Sequence, residues 1–77
     1  MINRNTLHKD NLTAFKAWLD KKGIPHRSGK GPWQKLQVLH KKYGWQCIFI
    51  RKDMPEYFSV QEKLMGIVEE FLKEKRS

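Results

Sequence analysis

The apolar positions near the amino terminus predict a helix with one buried face. From Asp10 to Lys22, apolar side chains recur at steps of three and four residues, which places them on one side of a helix. They are Leu12, Phe15, Trp18 and Leu19. Asp10 or Asn11 can cap the start of this helix. Gly23 can take the left-handed conformation that ends it, with Ile24 folding back onto the last turn.

A second helix is predicted at the carboxyl end, after a turn over residues 53–57. Its apolar face is formed by Val60, Leu64, Ile67, Val68, Phe71 and Leu72. Ser59 and Glu62 form the S-x-x-E box that is typical of a helix start. Gly66 lowers helix stability by roughly 1 kcal/mol relative to Ala, which suggests that the helix packs closely against another backbone at this point.

The segment between the helices has the pattern of a β-hairpin. Residues 25–32, PHRSGKGP, contain two prolines and two glycines and are predicted to form a basic loop. Residues 33–40 alternate apolar and polar side chains, and residues 45–52 are rich in aromatic and β-branched side chains. We therefore predict two antiparallel strands that turn at residues 41–44.

A helix is the alternative interpretation of residues 33–43. Pro32 would occupy its first position and Gly44 would end it. The apolar residues at near-helical spacing are Trp33, Leu36, Leu39 and Tyr43. On this interpretation the chain is a DNA-reading helix-turn-helix variant, with a connecting loop longer than the usual three or four residues.

The hairpin interpretation gives an α+β fold of the order helix, strand, strand, helix. Two amphipathic helices would cover one face of a short antiparallel sheet. Because two strands alone are marginally stable, we expect a third strand near residues 24–27 or 54–58, or one supplied by a second copy in a homodimer. The 77 residues suffice for a single domain with one modest core. We expect residues 1–9 and 73–77 to be frayed.

The positive charge of the chain is concentrated in its middle third. The net charge is +8, and residues 21–52 contain nine Lys or Arg and no Asp or Glu. Aromatic residues are interleaved with these cations, and nucleic acids need cations for phosphates and flat rings for stacked bases. The candidate nucleic-acid-binding residues are Arg27, Lys30, Trp33, Lys35, Lys41, Lys42, Tyr43, Trp45, Arg51 and Lys52.

Two features of this middle third have simpler explanations. The backbone N–H groups of the glycine-rich residues 28–31 could cradle a phosphate. The Walker spacing is missing, however, so a flexible connection is the simpler interpretation. A domain this small needs its large apolar residues, so we expect at least one of Trp33 and Trp45 to be buried, and Cys47 to be a core residue.

Catalytic and metal sites are disfavoured by spacing. His8, His26, His40 and Cys47 are separated by 17, 13 and 6 residues, which matches no paired zinc spacing. The few acidic residues lie mostly in the second helix, away from the histidines, so no nucleophile, base and orienting group converge. We therefore predict a protein with no catalytic residues, metal or cofactor, which acts by binding a partner.

The single cysteine and the absence of long apolar runs indicate the compartment. Cys47 alone cannot form an intramolecular disulfide, which favours a reducing compartment such as the cytoplasm. No apolar leader and no run of about 18 apolar residues occur, so neither export nor membrane spanning is predicted.

The order of these motifs resembles small accessory proteins of bacteriophages and prophages. The motifs are Phe15, Trp18, Leu19 and Gly23; Gly31, Trp33 and Leu36; Ile48 to Lys52; and Ser59. The resemblance covers about residues 12–72 and implies a setting in the cytoplasm of an infected bacterium. The element order is also similar to the double-stranded RNA-binding fold. That second likeness is one of topology, and no site residues are carried over from it.

Two kinds of partner fit the basic segment. We expect nucleic acid, either RNA or DNA, to bind through the loop and hairpin. The alternative is an acidic host protein, which would dock on the same face as the target of an inhibitor or adaptor and be drawn in by electrostatic steering.

Overall fold

A computed structural model describes residues 5–76 and shows an α+β fold. The elements are β1 (Thr6–His8), α1 (Leu12–Lys22), β2 (His26–Ser28), β3 (Gln34–His40), β4 (Gly44–Ile50), β5 (Tyr57–Val60) and α2 (Met65–Arg76). Short 3₁₀ turns at Lys9–Asn11 and Glu62–Leu64 lead into the two helices. The predicted hairpin is confirmed as β3 and β4, and the alternative helix over residues 33–43 is wrong.

The five strands form one antiparallel sheet in the order β1-β5-β4-β3-β2. Strands form close to both places considered for a third strand, as β2 and as β5, so the sheet needs no strand from a second copy. The predicted loop over residues 25–32 is therefore wrong at residues 26–28, where pairing with β3 makes the chain extended. Residues 6–8, which we expected to be frayed, form β1 and pair with residues 57–59 of β5. The expected fraying of residues 73–76 is wrong, because α2 continues through them. Residues 1–4 and 77, which were also expected to be frayed, lie outside the described residues.

Helix α1 follows the predicted pattern and ends as predicted. Its four apolar residues are buried. Gly23 has φ +70°, its N–H donates to the carbonyl of Asp20, and the N–H of Ile24 donates to the carbonyl of Leu19 at 2.8 Å. This is the Schellman arrangement that the sequence predicted. At the other end, Asn11 makes no side-chain cap, and its Oδ1 instead accepts a hydrogen bond from Lys75 Nζ of α2.

The predicted start of the second helix is wrong. Ser59 lies in β5, where it pairs with Thr6 and Phe49, so it cannot cap a helix. The chain turns helical at Glu62, and Gln61 Oε1 accepts the backbone N–H of Cys47 in place of capping the helix. Close packing at Gly66 is also wrong. A methyl group added there would meet no atom within 4 Å.

Both helices pack on one face of the sheet. Directly paired residues of neighbouring strands share a face, and alternate residues of a strand point the same way. Register therefore places Leu7, Leu36, Val38, Ile48, Phe58 and Val60 on the face that meets the helices. These six are buried with the apolar faces of α1 and α2. Across residues 5–76, no helix is long and apolar enough to cross a membrane.

Candidate nucleic-acid interface

The opposite face of the sheet, which we call the open face, is covered by neither helix. The register shift in β3 between Gln34 and Leu36 puts Gln34 on this face beside Phe49. Register assigns to the open face Thr6, His8, Arg27, Gln34, Gln37, Leu39, Trp45, Cys47, Phe49, Tyr57 and Ser59. Of the ten candidate residues from the sequence, Arg27 and Trp45 have regular strand positions on this face.

Arg27 and Trp45 form a stacked pair at the β2 side of the open face. The guanidinium carbon of Arg27 lies 4.0 Å from the centre of the Trp45 ring. The side chain of Arg27 is exposed, and Trp45 retains 39% of its surface. A guanidinium held over an indole is attracted by the negative face of the ring. The pair therefore presents a cation and a flat aromatic surface together.

Two glutamines fix the position of Arg27. Gln37 is 6% exposed, and its Oε1 accepts the Nε–H of Arg27. Gln37 Nε2 donates to Gln34 Oε1 at 2.8 Å, and Gln34 Oε1 also accepts the backbone N–H of Lys30 at 3.0 Å. Because a buried amide needs its hydrogen bonds, this chain of bonds holds the guanidinium in its position over Trp45. Neither glutamine is among the binding residues predicted from the sequence.

The open face also carries aromatic rings that were not predicted from the sequence to take part in binding. Phe49 lies four residues along β4 from Trp45, and Tyr57 of β5 is 37% exposed. The Tyr57 ring packs against His8 of β1 at 5.0 Å, edge to face. The signal that could have found Phe49 is the period of two along β4, which places it on the same side as Trp45.

Positive charge is concentrated at the two ends of the central hairpin. None of the five strands of the described chain contains Asp or Glu. Residues 26–60 carry seven Lys or Arg and two Asp or Glu. Apart from the cations within the strands, the basic side chains lie in the connections at the two ends of the hairpin: Lys30, Lys41, Lys42, Arg51 and Lys52.

One of these cations is already paired. Arg51 donates two hydrogen bonds to the carboxylate of Asp53, at 3.0 and 2.6 Å. The hydrogen bond from Arg51 lowers the pKa of Asp53, and the same contact raises the pKa of Arg51. Of the sequence candidates, Arg51 is therefore the one whose charge is offset by an acidic neighbour.

The β3–β4 turn forms a separate basic cluster. Lys63 Nζ lies 4.7 Å from the centre of the Tyr43 ring, and Lys42 Nζ lies 5.5 Å from it. The ring nitrogen Nδ1 of His40 accepts the backbone N–H groups of Lys42 and Tyr43, which fixes the turn. Since Lys63 belongs to the 3₁₀ turn before α2, Tyr43 packs toward the helical side, away from Trp45. Lys63 lies outside residues 21–52, so its contact with Tyr43 could not be predicted from the basic segment.

Trp33 and Lys52 form a third pair at the other end of the hairpin. Lys52 Nζ lies 5.0 Å from the centre of the Trp33 ring, and the Trp33 carbonyl accepts the N–H of Ile50. Trp33 is 47% exposed. The expectation that Trp33 or Trp45 is buried is thus wrong, because Trp18 of α1 supplies the tryptophan of the core. Cys47, expected in the core, is half-buried and lies on the open face by register.

The glycine-rich loop is tightly packed. A Cβ atom on Gly29 would lie 2.2 Å from the carbonyl oxygen of Gln34, so only glycine fits there. The N–H of Gly29 faces the Lys35 carbonyl at 3.4 Å, and that of Lys30 bonds to Gln34. Two N–H groups of the proposed phosphate cradle are therefore already engaged, and the loop instead anchors the end of β3.

Within residues 5–76, no group of three or more His, Cys, Asp or Glu side chains is arranged to hold a metal ion. No protein-family model matches this chain, and no curated protein or solved structure matches it either. The interpretation of the open face therefore rests on its own chemistry.

Proposed function

We propose that this protein binds nucleic acid through the open face and the basic ends of its central hairpin. The observation that carries the proposal is the Arg27–Trp45 stack, held by an amide network on a sheet face that no helix covers. Cations contact phosphates and exposed rings stack on bases. The setting implied by the phage-protein resemblance, the cytoplasm of an infected bacterium, is part of this proposal.

The charge around the open face favours a polyanion as its occupant. A second copy of the chain would bring the same excess of positive charge to this face, and the repulsion opposes self-association. An acidic host protein would satisfy the charge equally well. Nucleic acid satisfies both features, because it supplies negative charge together with flat rings that match Trp45 and the guanidinium of Arg27.

Fluorescence anisotropy of labelled single-stranded DNA, double-stranded DNA and RNA, repeated over a salt series, tests the proposal. We expect binding that weakens steeply as salt rises, because each phosphate contact releases counterions. Charge reversal of Lys41 and Lys42 in the β3–β4 turn should weaken binding. On a single strand it should lower the salt slope by about 1.4, at about 0.7 per lost contact.

Lys16→Glu with Lys21→Glu is the matched control. These lysines lie on α1, on the helical side of the molecule, and the double substitution changes the net charge equally. We expect it to reduce affinity much less than Lys41→Glu with Lys42→Glu. Equal losses from the two pairs would indicate attraction by net charge alone. An absence of binding to all three polymers at low salt would overturn the proposal, and capture of an acidic protein by nuclease-treated beads would then support the docking alternative.

A further inference from the structure

Building on the proposed function, we infer that the open face accepts unpaired bases, so that the protein prefers single-stranded nucleic acid to duplex. The inference concerns what lies against Trp45 and its neighbours, whereas the proposed function concerns the attraction of phosphates. The first depends on rings and the second on charge, so they can be tested separately.

The groups at the β2 side of the open face are flat, and flat groups recognise base faces. The guanidinium carbon of Arg27 lies over the Trp45 ring at 4.0 Å from its centre, and the Arg27 side chain is exposed. Guanidinium planes and aromatic rings are the groups on which proteins stack exposed bases. A duplex hides its base faces within the helical stack and displays only their edges in the grooves. This surface is thus matched to bases that are not paired.

The shape of the sheet also disfavours reading a duplex. Five strands at about 4.8 Å spacing make a face roughly 19 Å across. The major groove, about 12 Å wide, admits a helix or a two-stranded ribbon. Both helices of this protein lie behind the sheet. With their 3₁₀ turns they carry eight Lys or Arg and six Asp or Glu, whereas residues 26–60 carry seven and two, so the helical side is the less suited to phosphates.

The spacing of rings along β4 suits a short run of nucleotides. Trp45 and Phe49 are four residues apart on one strand, which is about 13 Å at 3.3 Å per residue. Tyr57 lies on the neighbouring strand, beyond Phe49. A flexible strand can cross this surface with one base on the Arg27–Trp45 stack and another near Phe49, while Lys30 and Lys35 meet its phosphates.

Three probes of about ten nucleotides, within the site sizes of single-strand binding domains, separate stacking from charge. They are a single strand, the same strand with abasic sites in place of its bases, and a duplex, all compared by anisotropy at one salt concentration. We expect the single strand to bind roughly tenfold or more tightly than the abasic strand, since each stacked base contributes about that factor. The duplex should also bind more weakly.

The outcomes for the inference and for the proposed function differ. Similar binding of the three probes would overturn the single-strand inference and leave the proposed function standing. A failure of all three to bind would overturn both. Preference for the single strand over the abasic strand and the duplex supports the inference, because the abasic strand retains the phosphates.

Substitution of Trp45 tests the stack directly. Trp45→Leu removes the ring but keeps apolar bulk, and we expect it to weaken single-strand binding roughly five- to hundredfold. Trp45→Phe keeps a ring and should retain most of the affinity. Trp45→Leu should lose much less affinity for the abasic strand than for the single strand. If Leu and Phe are equivalent, no base stacks on Trp45; thermal unfolding of both variants shows whether each remains folded.

Discussion

At the scale of single residues, the open face depends on polar side chains that are buried. Gln37 is buried although it lies on the open face, and its side-chain amide forms hydrogen bonds with Arg27 and Gln34. The amide satisfies the Nε–H of Arg27 and leaves the guanidinium plane over Trp45. Such a network fixes a cation before a ligand arrives, which reduces the ordering cost of binding.

Substitution by alanine should have opposite effects on stability at two glycines of the chain. Gly29→Ala places a methyl group against the backbone of Gln34, so we expect unfolding free energy to fall by about 1–3 kcal/mol, as in overpacked sites. Gly66→Ala meets open space within a helix and should raise it by about 0.5–1 kcal/mol. Urea unfolding of both variants measures this. A destabilising Gly66→Ala would contradict the open surroundings of that residue.

The residues of the open face could be predicted only in part from the sequence. The charge pattern identified Arg27 and Trp45, because cations and tryptophan in an acid-free segment are visible in the composition. Phe49 and Gln37 were missed because their role depends on which face of the sheet the helices cover. That choice is made by packing across the whole domain, and the register shift at Gln34 changes the alternation along β3.

At the scale of elements, the long segments were predicted closely and the short ones only in part, since a further strand was expected near β2 or β5 but none at β1. Helix α1 and the β3–β4 hairpin have enough residues to show a period, and both were predicted correctly. Strand β1 has three residues and β5 has four, which is too few for a clear alternation. β1 pairs with β5, as Thr6 does with Ser59, 53 positions away in sequence, and β5 also pairs with β4. No local pattern records such pairing.

A substitution at Ser59 tests whether this residue lies in a strand, as in the structure, or begins a helix, as its sequence context suggested. Valine favours strands and cannot cap a helix. If Ser59 belongs to β5, Ser59→Val should change unfolding free energy by no more than about 0.5 kcal/mol. Loss of a helix cap would instead cost about 1 kcal/mol. Chemical denaturation of the variant decides between them, and the larger loss would contradict the register of β5.

An ion pair between the two helices makes their packing sensitive to acid. Lys22 Nζ of α1 lies 3.2 Å from Glu74 Oε1 of α2, and this contact lowers the pKa of Glu74. A carboxylate with a lowered folded-state pKa stabilises the fold above its unfolded pKa, and the effect is lost as pH falls through the folded value. Glu74→Gln should therefore be less stable than wild type near neutral pH and equal to it in acid.

Denaturation over a pH series measures this difference. Glu70→Gln is the matched control, because Glu70 forms no ion pair with any residue from 5 to 76. We expect the difference in unfolding free energy between wild type and Glu70→Gln to stay constant with pH, and that between wild type and Glu74→Gln to depend on pH. If the difference for Glu74→Gln persists unchanged at acid pH, the Lys22–Glu74 ion pair does not stabilise the fold.

At the scale of the whole molecule, the two sides of the sheet differ in their cover and in their acidic residues. The helical side holds the apolar core and most of the acidic residues. The open face holds rings and amides, with cations at both ends of the hairpin. A domain in which two helices cover one face leaves the other available to a partner, and here that face combines exposed aromatic rings with a positive margin.

The most direct test of the central claim is an NMR titration of ¹⁵N-labelled protein with a short single-stranded oligonucleotide. We predict chemical-shift changes at the amides of Arg27, Gln37 and Trp45 and at the indole N–H of Trp45. The amides of Ala14 and Ala17, exposed on α1, and the buried indole of Trp18 should stay unchanged. Shifts centred on the helices, or none at an oligonucleotide excess in low salt, would contradict the assignment of binding to the open face.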